Sequence, residues 1–408
     1  MAVGVSLAGV ALLATPASGV ELKPDRDFAG DGRQVLNVPG YQFSTDVVVD
    51  GSTSYLIGNT PRHHSRREYR IVVAKYGPKG GLDRSFANRG RKFVSLGPDT
   101  RAFSGSLTPD GGILLAGWTV GSHHGAFIVK LRPNGAVDRT FSRDGVVYVS
   151  SNRGISWPLV EAEPDGDIWL AWASVKGYDY ERFDSDFRVM HFTPRGAVDR
   201  AFSGDGVRVF DVGKSDYTYF TAVDSSGRFF LTGMSTNGDK AVDRTAILSV
   251  PESGQASVRT LSPWDRKGSF PLTLDVDESD KVVVGLTPSR KLGWGAARMT
   301  TDLKLDDTYG NGGVARHDCS CTSSSGALTD DGLFLVGNGG KTQQETVVAH
   351  FTTSGLWDAE LGNSRYNLSR DWEYWVETEV DSAQRLVLAG TAKGDDGDMA
   401  IARLKAAV

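Results

Sequence analysis

Cysteine is almost missing from this chain: 408 residues carry two, Cys319 and Cys321. A disulfide framework is therefore excluded, and a metal bound there would need ligands from elsewhere. In a strand the two thiols would point to one face, open to a strained local disulfide or, more simply, inert. A basic surplus is missing too. Lys and Arg number 45 against 50 Asp and Glu, interspersed, for a net charge of −5. That argues against a nucleic-acid partner, which calls for a basic face. No stretch is long and apolar enough to span a bilayer, so no transmembrane segment is expected. Helical periodicity of useful length is missing, which excludes an α/β solenoid. Familiar catalytic signatures are missing as well, both Gly-x-Ser-x-Gly and His-Glu-x-x-His. Gly339-Gly-Lys-Thr342 has the end of a phosphate loop, but Leu335 stands where the first glycine belongs and no helix follows.

Glycine, by contrast, is abundant at 49 residues, and much of it punctuates short apolar runs. A phrase recurs among them: Gly80-Gly-Leu-Asp-Arg-Ser-Phe86, Gly135-Ala-Val-Asp-Arg-Thr-Phe141 and Gly196-Ala-Val-Asp-Arg-Ala-Phe202. Aligning Asp, an aromatic three residues on and Gly four beyond that gives Asp25/Phe28/Gly32, Asp83/Phe86/Gly90, Asp138/Phe141/Gly145, Asp199/Phe202/Gly206 and Asp306/Tyr309/Gly313. Asp358/Leu361 keeps the position more weakly, and Gly254-Gln-Ala-Ser257 holds the place of an eroded copy. The count is about seven, at a period that repeat architectures use.

Each repeat reads as four short strands. Pro109-Asp-Gly111, Pro164-Asp-Gly166 and Asp330-Asp-Gly332 mark hairpins, because Gly accepts positive φ and Asp caps the turn. Four strands in each of about seven units predict an all-β fold, a seven-bladed β-propeller of four-stranded blades. The last unit lacks an outer strand and the chain begins with one to spare. Gln34–Val38 is therefore expected to join the blade formed by 376–404, closing the ring and hiding its edges. The phrase Phe or Tyr should plug the space between blades, the Asp should cap a turn, and the Gly should take a conformation closed to other residues. A calcium site at Asp144 and Asp205 is disfavoured, since one or two acids per turn fall short of the ligands calcium takes.

The phrase, written (Asn/Arg)-Gly-x-(Leu/Val)-Asp-Arg-x-Phe-x-x-(Asp/Arg)-Gly-Val, resembles the bacterial delta-60 repeat from Leu22 onward. That family implies exported, propeller-like repeats without an established activity, and it transfers no catalytic residue. Residues 3–14 are apolar and small, and Thr15-Pro-Ala-Ser-Gly19 resembles a cleavage region, although no Lys or Arg precedes the run. Residues 1–19 are accordingly expected to be a signal peptide and 20–408 one propeller domain, a monomer that is secreted or held at the cell surface.

Function is expected at the end of the ring where the loops vary, or in the central channel. His63, His64, His123 and His124 fall in equivalent loops of neighbouring blades and could hold a divalent metal, against the plainer reading of solvated histidines beside arginines such as Arg67. Otherwise no cofactor is implied. Tyr178 and Tyr180 sit in a long acidic loop, and aromatics crowd the entries to the inner strands. Most of those rings should pack between blades, with Trp264 and Trp372 the best placed to face a ligand, joined there by Tyr178, Tyr180 and Arg67 of the variable loops. Asp46, Glu161, Asp275 and Glu379 stand at one matched inner-strand position, filled elsewhere by Ser106, Ala222 and Ala327. Acids there should line a watery channel, where they solvate the lumen or act as acid and base. The leading expectation is a non-enzymatic propeller that binds a protein or carbohydrate at its variable end. The alternative is an exported hydrolase or lyase using channel or loop carboxylates, with or without a metal.

Overall fold

The computed structural model describes residues 21–62, 68–151, 154–175, 184–237, 243–264, 268–288, 293–318, 322–339, 345–361, 364–366, 373–392 and 397–407. Among them every regular element is a strand. The described residues open with β1 (Glu21–Pro24) and β2 (Arg33–Leu36). Antiparallel four-strand units follow, each running from an inner strand outward. They are β3 (Phe43–Asp50), β4 (Thr53–Pro61), β5 (Tyr69–Tyr76) and β6 (Arg91–Val94); then β7 (Asp99–Leu107), β8 (Ile113–Val120), β9 (Gly125–Leu131) and β10 (Val146–Ser150). Next come β11 (Gly154–Ala162), β12 (Ile168–Val175), β13 (Ser185–Phe192) and β14 (Val207–Phe210), followed by β15 (Ser215–Val223), β16 (Phe229–Thr236), β17 (Arg244–Val250) and β18 (Ser257–Leu261). After these come β19 (Phe270–Val276), β20 (Val282–Thr287), β21 (Trp294–Met299) and β22 (Val314–His317), then β23 (Thr322–Thr329), β24 (Gly332–Gly339), β25 (Glu345–Thr352) and β26 (Ser364–Tyr366). The unit that begins with β11 and the one that begins with β15 are linked by a single parallel bridge, Ser185↔Ser215.

The last unit has three strands of its own, β27 (Glu373–Val380), β28 (Leu386–Ala392) and β29 (Asp398–Ala407). Its outer edge is covered by the start of the chain. β2 pairs with β29 from Arg33↔Ala402 to Leu36↔Met399, and β1 continues the edge from Glu21↔Ala407 to Pro24↔Leu404. The sequence suggested one strand, Gln34–Val38. The strand instead ends at Leu36, and the chain turns at Gly40, whose φ is +95°. β1 escaped notice because four residues show no alternation to read.

Apolar clusters fill the gaps between successive units, and each holds one anchor of the repeated phrase where the phrase is intact. Phe86 packs among Tyr55 and Ile57 of one unit and Ile113 and Leu115 of the next. Phe141, Phe202, Tyr309 and Leu361 do the same farther along. Phe28 sits between Val387 and Met399 of the last unit and Leu56 and Val72 of the first. Burying each ring is worth about 2–3 kcal/mol. The phrase Gly also behaves as expected: Gly145 has φ +94°, and an added Cβ would lie 2.2 Å from Val137 Cγ1.

The phrase Asp does more than cap its turn. Its Oδ1 does accept a nearby N–H, from Ser85 for Asp83 and from Thr308 for Asp306. Its other oxygen meets a basic side chain eight residues earlier, on the third strand of the unit. The pairs are Lys75–Asp83 at 3.7 Å, His191–Asp199 at 2.9 Å, Arg298–Asp306 at 3.0 Å and His350–Asp358 at 3.1 Å. At Asp138 the cation is Arg132 instead, which meets at 3.0 Å the same Oδ1 that accepts from Thr140 N. For Asp25 the cation is Arg403, from the far end of the chain, at 2.7 Å. In the eroded copy both partners are gone together, with Ser257 in place of the Asp and Ser249 eight residues before it.

Candidate functional site

The inner strands meet around a lumen of about 650 Å³. β3 packs against β7, β7 against β11, β11 against β15, β15 against β19, β19 against β23, β23 against β27, and β27 against β3. Every inner strand carries a β-bulge near its start, between Ser44/Asp46, Ala102/Ser104, Ser156/Leu159, Thr218/Phe220, Pro271/Thr273, Ser323/Ser325 and Trp375/Glu377. A bulge re-aims side chains and commonly accompanies a site.

Counting from the bulge corrects the sequence alignment. Glu161, Asp275 and Glu379 are equivalent, together with Ser106, Ala222 and Ala327. Asp46 is not: Val48 holds their position, and Asp46 lies one step nearer the bulge, level with Ser104 and Glu377. Glu377 shares the row of Asp46, two residues before Glu379, and was not among the sequence candidates. The acids thus form two rows, Asp46 with Glu377 and Glu161 with Asp275 and Glu379, all lining the lumen.

Part of their role is architectural. An inner strand leaves one edge of N–H groups without a strand partner, and such groups need acceptors. Asp46 Oδ2 accepts from Gly105 N at 2.6 Å, and Ser104 Oγ accepts from Val160 N at 2.8 Å in the next unit. Ser106 Oγ accepts likewise from Ala162 N at 3.0 Å. Glu161 bridges two units, accepting from Ser106 Oγ at 3.0 Å and Thr221 Oγ1 at 2.8 Å.

No lysine, arginine or histidine lines the lumen among the described residues. Burial pushes the Asp46 carboxyl up to about 8, against the pull of the Gly105 and Val47 N–H groups. Burial likewise lifts Glu161 to about 7 despite its two hydroxyl donors, and Asp275 to about 6. Burial and then the neighbouring carboxylates hold Glu377 and Glu379 well above the usual range. Glu379 is the most exposed of the five acids. Contact with solvent moderates its shift.

Aromatic rings collar the mouth at the start of the inner strands: Phe43, Phe103, Trp157, Tyr219 and Tyr374. Trp157 occupies its bulge at φ +38°, a region costly for a bulky residue, and is 41 % exposed. Its ring centroid lies 5.6 Å from that of Tyr219. Strain held at an exposed aromatic is an observation that points to function.

Trp264 does not face solvent. It is 9 % exposed and belongs to the cluster between β16–β17 and β20–β21, where the eroded phrase offers no anchor of its own. Its ring lies flush on Gly295, where an added Cβ would come 2.8 Å from both Trp264 Cη2 and Ala315 O. Gly295→Ala is therefore expected to cost about 1–3 kcal/mol and to shift tryptophan emission, read by urea unfolding and fluorescence.

His123 and His124 are exposed, and the His123 ring stacks on Tyr148 at 4.2 Å. Among the described residues no group of three or more metal-ligating side chains converges. His63, His64, Arg67, Tyr178, Tyr180, Trp372, Cys319, Cys321 and residues 1–20 lie outside the described residues. No helix among the described residues is long and apolar enough to cross a membrane.

A family model described as a domain of unknown function (DUF5122) beta-propeller matches residues 108–141. No curated protein matches the chain. Among solved structures, polysaccharide lyase Uly1 is similar at a TM-score of 0.51 and 10 % identity, over 91 % of this chain and 91 % of that one. A PL25 ulvan lyase bound to -[GlcA(1-4)Rha3S]- gives 0.50 and 10 %, over 94 % of each chain. The β-propeller domain of the Trilobed protease from Pyrococcus furiosus, described as having an open velcro topology, gives 0.50 and 8 %, over 90 % of this chain and 97 % of that one. At such identities the likeness bears on fold alone, and with the four-strand units and the matching family model it makes this chain a β-propeller protein.

Proposed function

We propose that this protein is a non-enzymatic propeller of seven blades, its ring closed by β1 and β2 on β29, which binds a carbohydrate or protein partner at the mouth of its central channel. The observation that carries the reading is the aromatic collar, with strained, exposed Trp157 at its centre. Flat rings over a polar lumen suit sugar faces and peptide side chains. The succession of inner-strand contacts from β3 round to β27 and back supports the closed ring. Residues 3–19 support export, the phrase supports kinship with delta-60 repeats, and residues 20–408 act as one domain in a monomer.

A second reading, acid–base chemistry on a glycan, is favoured by one feature. Asp46, Glu161 and Asp275 are displaced to about 8, 7 and 6, within the range general acids and bases use. Glycan-array and peptide-array binding of the secreted protein distinguishes the readings. Binding should fall at least about tenfold in Trp157→Ala and Tyr374→Ala, with no product released from the bound glycan. Turnover that vanishes in Glu161→Gln would replace the binding reading with the enzymatic one.

A further inference from the structure

The chemistry of the lumen restricts what the mouth can admit. Asp46, Glu161, Asp275, Glu377 and Glu379 share a space of about 650 Å³ with no basic side chain. Asp46 is 9 % exposed, so a charge on it would have little bulk water to answer it. Thr45 lines the same lumen, and its buried hydroxyl has no hydrogen-bond partner among the described residues. A polyanion entering here would meet acids at two depths, which disfavours uronic-acid chains. A bare metal ion fits poorly as well, because the acids are spread over two rows and no three of them converge on a point. What remains is a cation with extent, its charges spaced along a body large enough for the lumen and flat enough for the collar.

Resting on the binding reading above, we infer that the ligand is an amino-sugar oligosaccharide carrying unacetylated ammonium groups, its rings stacked on Trp157, Tyr219 and Tyr374 and its ammoniums paired with the lumen carboxylates. Stacking uses the apolar faces of the sugar, and ammonium groups near aromatic rings gain a cation–π attraction too. Each ammonium that pairs with a protonated carboxyl displaces its proton to solvent, so binding and proton release are linked. Because the pairs form out of bulk water, salt weakens them less than it weakens surface pairs.

The test is calorimetric titration at pH 6 with a glucosamine hexamer and with its fully N-acetylated counterpart, in two buffers of different ionisation enthalpy. The glucosamine hexamer should bind at least about tenfold more tightly, and its heat should depend on the buffer in the sense of proton release. Asp275→Asn/Glu379→Gln should reduce both the preference and the proton release, whereas Trp157→Ala should weaken both hexamers. Equal binding of the two hexamers without proton release would overturn the cationic ligand and leave the binding site standing. Failure of both hexamers while another glycan or a peptide binds in a Trp157-dependent way would overturn it too. If no ligand depends on Trp157, the site itself is wrong.

Discussion

Asp25→Ala is expected to destabilise the protein by about 3–5 kcal/mol, the usual cost of removing one partner of a buried ion pair. Asp25 is 0 % exposed and Arg403 2 %. Its carboxylate meets Arg403 Nε at 2.7 Å, Lys405 Nζ at 2.8 Å and Arg385 at 3.4 Å. Burial alone would raise the Asp25 carboxyl; Lys405 and Arg403 outweigh it and hold the group below its ordinary value. A depressed carboxyl contributes stability that is present above about pH 4 and lost as pH falls through the folded value. The contact joins residues 378 apart in sequence, so its loss should also loosen β1 and β2 from β29. Asp27→Ala is the control. It removes an equally short contact to Lys405, but Asp27 is exposed, and such pairs are worth at most about 1 kcal/mol. Urea unfolding of the two variants at pH 7, with hydrogen exchange along residues 399–407, gives the comparison. Equal costs would mean that the chain's two ends are not tied by this pair.

What the sequence disclosed and what it concealed divide along physical lines. Turn chemistry and alternating apolar runs are local, so the hairpins, the strands and the plugging role of Phe86 and Phe141 were readable. The clamp that ties Lys75 to Asp83 was in plain sight at a spacing of eight residues, yet Lys, Arg and His hide a shared role behind different letters. The bulges were not readable, because an extra residue leaves no mark on composition and moves every later side chain to the other face. Without the bulges as a reference point the count along an inner strand has no fixed origin, so Asp46 was set level with Glu161, two residues out of register. Trp264 is buried for a reason that no local pattern shows. The loss of the phrase anchor in that copy left a gap between units, and the indole fills it.

Raised carboxyl values in the lumen reverse the pH dependence set by Asp25. Glu161 titrates near 7 in the folded protein, against about 4.3 for an unperturbed glutamate. Between those values the folded state holds more protons than the unfolded one. The stability linked to this group is therefore complete below about pH 4 and declines as pH rises through 7. Glu161→Gln removes that decline. The amide matches the carboxylate in shape, its oxygen can accept from Thr221 Oγ1, and its NH₂ can donate to the Ser106 hydroxyl oxygen now donating to it. The variant should match the parent at pH 4.5 and exceed it by about 1–3 kcal/mol at pH 8.5, the upper end holding only if lumen water screens little. Asp46→Asn should gain less, because an amide cannot accept from both Val47 N and Gly105 N as the carboxylate does. Urea midpoints at the two pH values measure both variants. A Glu161→Gln protein no more stable than the parent at pH 8.5 would show that the lumen keeps this carboxylate charged at no cost, and a lumen of that kind would have no need of a cationic ligand.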